Sequence, residues 1–274
     1  MVAIVTDSAS NLPADLAAEL GIFVVPLHFR LGDEVHRDGE IVLQDFYEAL
    51  VRGVEASTSA PSPGDFLEVF DAVSEDEIVC VTVAAAVSAS NQHARVAAEQ
   101  TAGKRVEIVD STNASMAEGF VALEAARLAR TGAPVDAVVS RAEEVGRASR
   151  IVATIDSFEY LRKSGRVRRA QAYAATMLNI KPVFRFRDGD AEPLGRPRTR
   201  GRALDRIVRE TVQEAGERPL HLAAFHALSE EDAKELVRRV EAEASVVESY
   251  VVEATPVIGA HTGPGLVGTA SFCD

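Results

Sequence analysis

Two cysteines, Cys80 and Cys273, are all that the 274 residues contain. They lie far apart with no metal-like spacing, so a cysteine-built metal centre and a disulfide framework are both excluded. Cys80 sits inside the apolar run IVCVTV and reads as a core thiol. No apolar run reaches the roughly 18 residues of a membrane span. The first residues, MVAIVTDSAS, have no basic stretch ahead of an apolar one, and no signal peptide is expected. Positive charge is short as well. Lys and Arg number 29 against 42 Asp and Glu, a net charge of −13. That balance argues against bulk affinity for nucleic acid or anionic membrane. A Walker loop, GxGxxG after a strand, HExxH and GxSxG are also missing. The six histidines (28, 36, 93, 221, 226 and 261) form no metal-spaced pair. The expectation is a cytoplasmic protein, not membrane-spanning, with no cofactor and no metal.

What is there is an ordinary globular composition, 47% hydrophobic and 26% charged, on a chain long enough for a sizeable core. Short apolar runs at 2–6, 77–83 and 106–110 alternate with helical stretches. That order points to a mostly parallel α/β sheet. IFVVPLHFRL reads as one strand, and Gly21 as the C-cap of the helix before it. From residue 150 strands follow with fewer crossovers, which suggests an α+β domain. The expected organisation is therefore an N-terminal α/β domain at 1–150 and a C-terminal α+β domain at 151–274.

The hydroxyls cluster. VEASTSAPSPGDF (54–66) places Ser57, Thr58 and Ser59 in a loop before a proline-pinned turn. Ser62 is the expected N-cap there, with Pro63 at N1 and Asp65 at N3. Further Ser, Thr and Asp residues end the strands at TDSAS, VTVAAAVSAS and DSTNAS. In open α/β sheets ligands sit outside the carboxyl ends of strands. PVIGAHTGPGLVGTASF reads as two β-like runs around the turn HTGPG, whose glycines allow a close backbone approach. Two basic clusters, RKSGRVRR (162–169) and RPRTRGR (196–202), offer local positive patches on an acidic chain.

TDSASNLP, TSAPSP, VSAS, DSTNASMAEG, SFEYLRKSGRV, IKPV, GRPRTRGRAL and HTGPGLVG occur in this order over residues 2–274. The chain thereby resembles the DegV family. The resemblance implies two α/β domains with one long-chain fatty acid, such as palmitate, held between them. It also implies a carrier rather than an enzyme. Some family members present the fatty-acid carboxylate to a fatty acid kinase, and the acyl phosphate feeds phospholipid synthesis. Carried over by motif, Thr58, Ser88 and His261 are the carboxylate-binding residues, Arg166 of the Gly-Arg pair a further one, and Ser59 and Ser90 their loop neighbours. The chain departs from the family at Ala60, where a glutamine is usual, and at Ala89, where glycine is usual. A positive φ at Ala89 would cost energy.

The alternative classes are an enzyme and a regulator. Ser88, His261 and Asp7 could be cast as the triad of a serine hydrolase acting on lipid esters. The basic clusters could serve a nucleic-acid-binding regulator, against which stand the net charge and the lack of interleaved aromatics.

Overall fold

The computed structural model describes residues 1–166 and 180–274. Strand β1 (Val2–Asp7), VAIVTD, is buried at every position. Such a run belongs in the middle of a sheet covered on both faces. It pairs in parallel with β2 (Ile22–Val25) on one side and β6 (Glu77–Thr82) on the other, and β7 (Arg105–Asp110) completes the order β2-β1-β6-β7. Helices α1 (Ala14–Leu20), α3 (Pro63–Ala72) and α4 (Ser90–Gln100) supply the crossovers. This is the parallel α/β sheet expected from the alternation of apolar runs.

The expected single strand IFVVPLHFRL is two strands in two sheets. Pro26 separates β2 from β3 (His28–Leu31), because proline donates no ladder hydrogen bond. β3 is the centre of a small antiparallel sheet with β4 (Glu34–Arg37) and β5 (Ala56–Ser59). The hydroxyl run is therefore not a loop. It is strand β5, with Thr58 paired to Phe29. Helix α2 (Leu43–Val51) connects β4 to β5.

Two helices, α5 (Met116–Arg130) and α6 (Val135–Ala148), lead to the second large sheet. It contains β8 (Arg150–Thr154), β9 (Val183–Arg187), β10 (Asp190–Gly195), β11 (Leu220–His226), β12 (Val246–Glu253) and β13 (Val267–Cys273), in the order β10-β9-β8-β13-β11-β12. Only β11 and β12 run parallel; the other pairs are antiparallel. Helices α8 (Arg200–Ala215) and α9 (Glu230–Glu241) pack against it, whereas α7 (Glu159–Ser164) packs on α10 (Pro256–Thr262), which in turn meets β5 and α2. On α9 the buried residues Ala233, Leu236, Val237 and Val240 recur at helical spacing, so one apolar stripe faces the sheet. The first expected β-like run around HTGPG is instead helix α10. Pro256 stands at its first position, where the missing N–H has no intrahelical partner to lose.

One core joins the sheets. It runs from Val2 and Ile4 through Phe120 and Leu123 of α5 to Ala270 and Phe272 of β13. Helix α5 carries apolar residues all round and touches β1, β6 and β13. No helix among the described residues is long and apolar enough to cross a membrane.

Candidate ligand-binding site

A narrow cavity of about 130 Å³ lies between the carboxyl ends of β1 and β6 and the inner face of the large sheet. Ala9 and Val83 line it on one side, and Ile151, Ala153, Phe184, Phe186 and Phe225 on the other. Its polar lining includes Thr58, Ser88, Arg166 and His261, together with Ser115 and Thr262.

The four expected residues converge. Thr58 Oγ1 and His261 Nε2 share a 2.8 Å hydrogen bond. Arg166 donates from Nη1 to the Val87 carbonyl (2.8 Å), next to Ser88, and from Nη2 to the Thr58 carbonyl (3.5 Å). Ser88 Oγ pairs with Ser90 Oγ (2.9 Å) and accepts from the Ser90 N–H (3.2 Å). Ser90 is fully buried and fixes Ser88 rather than lining the cavity. Ser59 is exposed because neighbours along a strand point to opposite faces. It does not share the lining with Thr58.

Local sequence explains the placement. Ser62 caps α3, and with Asp65 at N3 it forms a reciprocal capping box behind Pro63. That box ends the chain segment carrying Thr58. His93 on α4 then bonds the Pro61 carbonyl through Nδ1 (2.7 Å), tying the turn after Thr58 to the helix after Ser88. No pattern in the sequence marks His93 for this role. Ala89 has φ −79°, so the alanine in place of glycine carries no backbone strain. Ser115, which has φ +51° and a buried hydroxyl without a partner among the described residues, ends the DSTNAS stretch, and only that stretch pointed to it.

Burial, and then the Arg166 charge, push His261 down to about 4, so its imidazole is neutral at pH 7. His261 Nδ1 is buried with no hydrogen-bond partner among the described residues.

A family model described as "Uncharacterised protein, DegV family" matches residues 1–273. The chain belongs to the DegV family. It is 36% identical over 272 residues to a DegV domain-containing protein of Streptomyces coelicolor, covering 97% of this chain and 96% of the relative. A solved structure titled as fatty acid binding of a DegV family protein from Thermus thermophilus is 32% identical, with a TM-score of 0.94 and coverage of 100% and 99%. DegV from Bacillus subtilis, described as a fatty acid binding protein, is 26% identical at a TM-score of 0.89, covering 100% of this chain and 99% of that one.

In this DegV chain the triad geometry is not assembled. Asp7 accepts from the backbone N–H groups of Ala9 and Val83, both at 3.0 Å, and His261 bonds Thr58 rather than Ser88. Asp7 thereby ties the ends of β1 and β6 that form the cavity wall. Burial pushes its carboxyl up to about 6, and that of neighbouring Glu118 up as well. Below the folded value and above the ordinary 3.8, the folded chain binds a proton that the unfolded chain does not. The Asp7 contribution to stability therefore increases as pH falls from 6 toward 4. The difference in Tm between wild type and Asp7→Asn should grow in that window. A difference independent of pH would refute this.

The DegV basic clusters divide. Val167, Arg168 and Arg169 lie outside the described residues. Arg196, Arg198 and Arg202 are exposed, but Arg200 is not a free loop residue. It stands in the first turn of α8, bonds Asp232 (2.7 Å) and the Gly265 carbonyl (2.7 Å), and lies 3.4 Å from Asp156. It holds the glycine turn that follows His261.

Glu124, His221 and Glu248 are close enough together to suggest a metal centre. The carboxylate oxygens are already taken, and both His221 nitrogens bond carboxylates, of Glu248 and Asp274. Arg127 contacts both Glu248 oxygens at 2.6 Å and Glu124 at 2.9 Å, Arg141 contacts Glu124 at 2.6 Å, and Tyr250 donates to Glu248 at 2.6 Å. Two guanidinium groups supply the positive charge that an ion would bring. The cluster is an ion-pair network between α5 and β12.

Proposed function

We propose that this chain binds one long-chain fatty acid in the cavity, tail against the large sheet and carboxylate at Thr58, Ser88, His261 and Arg166. The supporting observation is a cavity walled by aliphatic and phenyl groups into which one linked polar set opens. A carboxylate taken from water must be hydrogen-bonded or paired. Two hydroxyls, an imidazole and a guanidinium provide this. A tail of roughly 14 methylenes at about 0.8 kcal/mol each supplies on the order of 11 kcal/mol gross. Ordering the chain and opening the cavity offset much of it. The tail supplies most of the affinity, and the polar set adds to it and fixes orientation.

In this reading the protein is a cytoplasmic carrier and not an enzyme. It has an N-terminal domain at 1–150 and a C-terminal domain at 151–274, and it presents the carboxylate to a fatty acid kinase for acyl-phosphate formation and phospholipid synthesis. The exposed Arg198 and Arg202 would meet an acidic kinase surface. Reversing both charges should slow acyl-phosphate formation with a steep salt dependence, because exposed charges are screened over about 8–10 Å. Lipid binding should not change. Equal rates for variant and wild type at low salt would remove the docking role.

The test of binding is Thr58→Ala and Ser88→Ala, read by titration with palmitate. Each removes a hydrogen bond to an ionised group, worth roughly 1.5–3 kcal/mol, or about tenfold to a hundredfold in affinity. Palmitate methyl ester has no charge to hold and should bind all variants nearly equally. Palmitate binding as tight as wild type in both variants would place the carboxylate elsewhere.

A further inference from the structure

Four residues stand side by side across the large sheet, Phe184 on β9, Ala153 on β8, Gly268 on β13 and Phe225 on β11. Directly paired residues share a face of the sheet. Phe184, Ala153 and Phe225 line the cavity, so this row is part of its floor. Gly268 is the one position in the row without a side chain. A Cβ built there would lie 2.8 Å from Phe225 Cζ, 2.6 Å from Ala153 Cβ and 2.6 Å from the Val152 carbonyl oxygen. The tip of the Phe225 ring therefore occupies space that a side chain on Gly268 would fill. With a methyl group at 268, the ring must lift off the sheet, and the cavity is on that side.

Resting on the fatty-acid reading above, we propose that Gly268 and Phe225 together set how long an acyl chain the cavity accepts. Gly268 is the positioning residue: it is absent from the cavity lining and acts by leaving room for the tip of the phenyl ring. Phe225 is the group that meets the tail. A raised ring takes room from the tail, so the longer acids should lose more than laurate.

The experiment measures Kd for laurate, myristate, palmitate and stearate, and for the matching straight-chain alcohols, in wild type, Gly268→Ala and Phe225→Leu. Gly268→Ala should keep laurate and lose about tenfold or more on stearate, the range that one methylene of misfit commands in an apolar pocket. Phe225→Leu removes the ring and should shift the stearate-to-laurate ratio the other way. If Gly268→Ala fails to fold against the Val152 carbonyl, Phe225→Leu decides alone. Folded variants that keep the wild-type ratio in both series overturn the proposal and leave the head-group reading intact. A length dependence in the alcohols without preference for the acids upholds the proposal and overturns the head-group reading. Wild type that binds neither series overturns both.

Discussion

Gly263→Ala is expected to destabilise the chain by about 2–6 kcal/mol, the sum of a backbone cost and an overpacking cost of about 1–3 kcal/mol each. Gly263 has φ +74° and ψ 174°, a region that glycine alone occupies without strain. A Cβ there would also lie 2.2 Å from the Tyr160 ring on α7. The turn has no room to give way. Arg200 holds the Gly265 carbonyl, and a Cβ on Gly265 would sit 2.4 Å from Asp156. Urea unfolding should show the midpoint fall with an unchanged slope. Adding Tyr160→Ala should relieve the clash and leave the backbone cost, so recovery is partial. Palmitate affinity should fall as well, because the turn follows directly on the helix end that aims His261 at Thr58. Stability within 0.5 kcal/mol of wild type would show that the turn is free to rearrange.

Arg127→Ala is expected to cost roughly 2–4 kcal/mol, below the 3–5 of a fully buried pair because part of Arg127 meets water. The guanidinium grips both oxygens of Glu248, whose side chain is 19% exposed. Burial alone would push the Glu248 carboxyl up, but Arg127, Tyr250 and His221 outweigh it and hold the group down at about 2. The folded value lies below the ordinary 4.5. The stabilisation is therefore fully present above pH 4.5 and lost as pH falls toward 2. Arg127→Ala should remove most of that acid-side loss along with the stability itself. Replacing the pair together, as Arg127→Met with Glu248→Leu, should recover much of the stability, since apolar groups of like size leave no unpaired charge. Chemical denaturation at pH 7 and pH 3 checks both statements. A variant that loses stability on acidification as steeply as wild type would show that Glu248 is not held by this pair.

The parts of this protein that were legible in its sequence are those governed by neighbours along the chain. The capping box at Ser62 and Asp65 and the left-handed cap at Gly21 follow from local chemistry, and the structure has both. The parallel sheet followed from buried apolar runs alternating with helices. Helix α10 did not, because seven residues of apolar and small character fit strand or helix equally, and packing against α7 and β5 decides. The division of IFVVPLHFRL between two sheets rests on one proline whose effect depends on where each half finds a partner. At the site, motif order named Thr58, Ser88, Arg166 and His261, which share one cavity. It named neither His93, which fastens two segments through a backbone carbonyl, nor Gly268, where the tip of a phenyl ring from another strand occupies the space of a side chain. Both depend on contacts between residues far apart in the chain.

Strand β13 follows every other element in the chain yet lies between β8 and β11, antiparallel to both. During synthesis β8–β10 and β11–β12 emerge as two separate ladders with open edges facing one another. Neither can join the other until Val267–Cys273 leaves the ribosome and threads between them. Unpaired edges of this kind are where chains stick to one another. A nascent chain halted before residue 267 therefore leaves the edges of β8 and β11 both without the strand that pairs them.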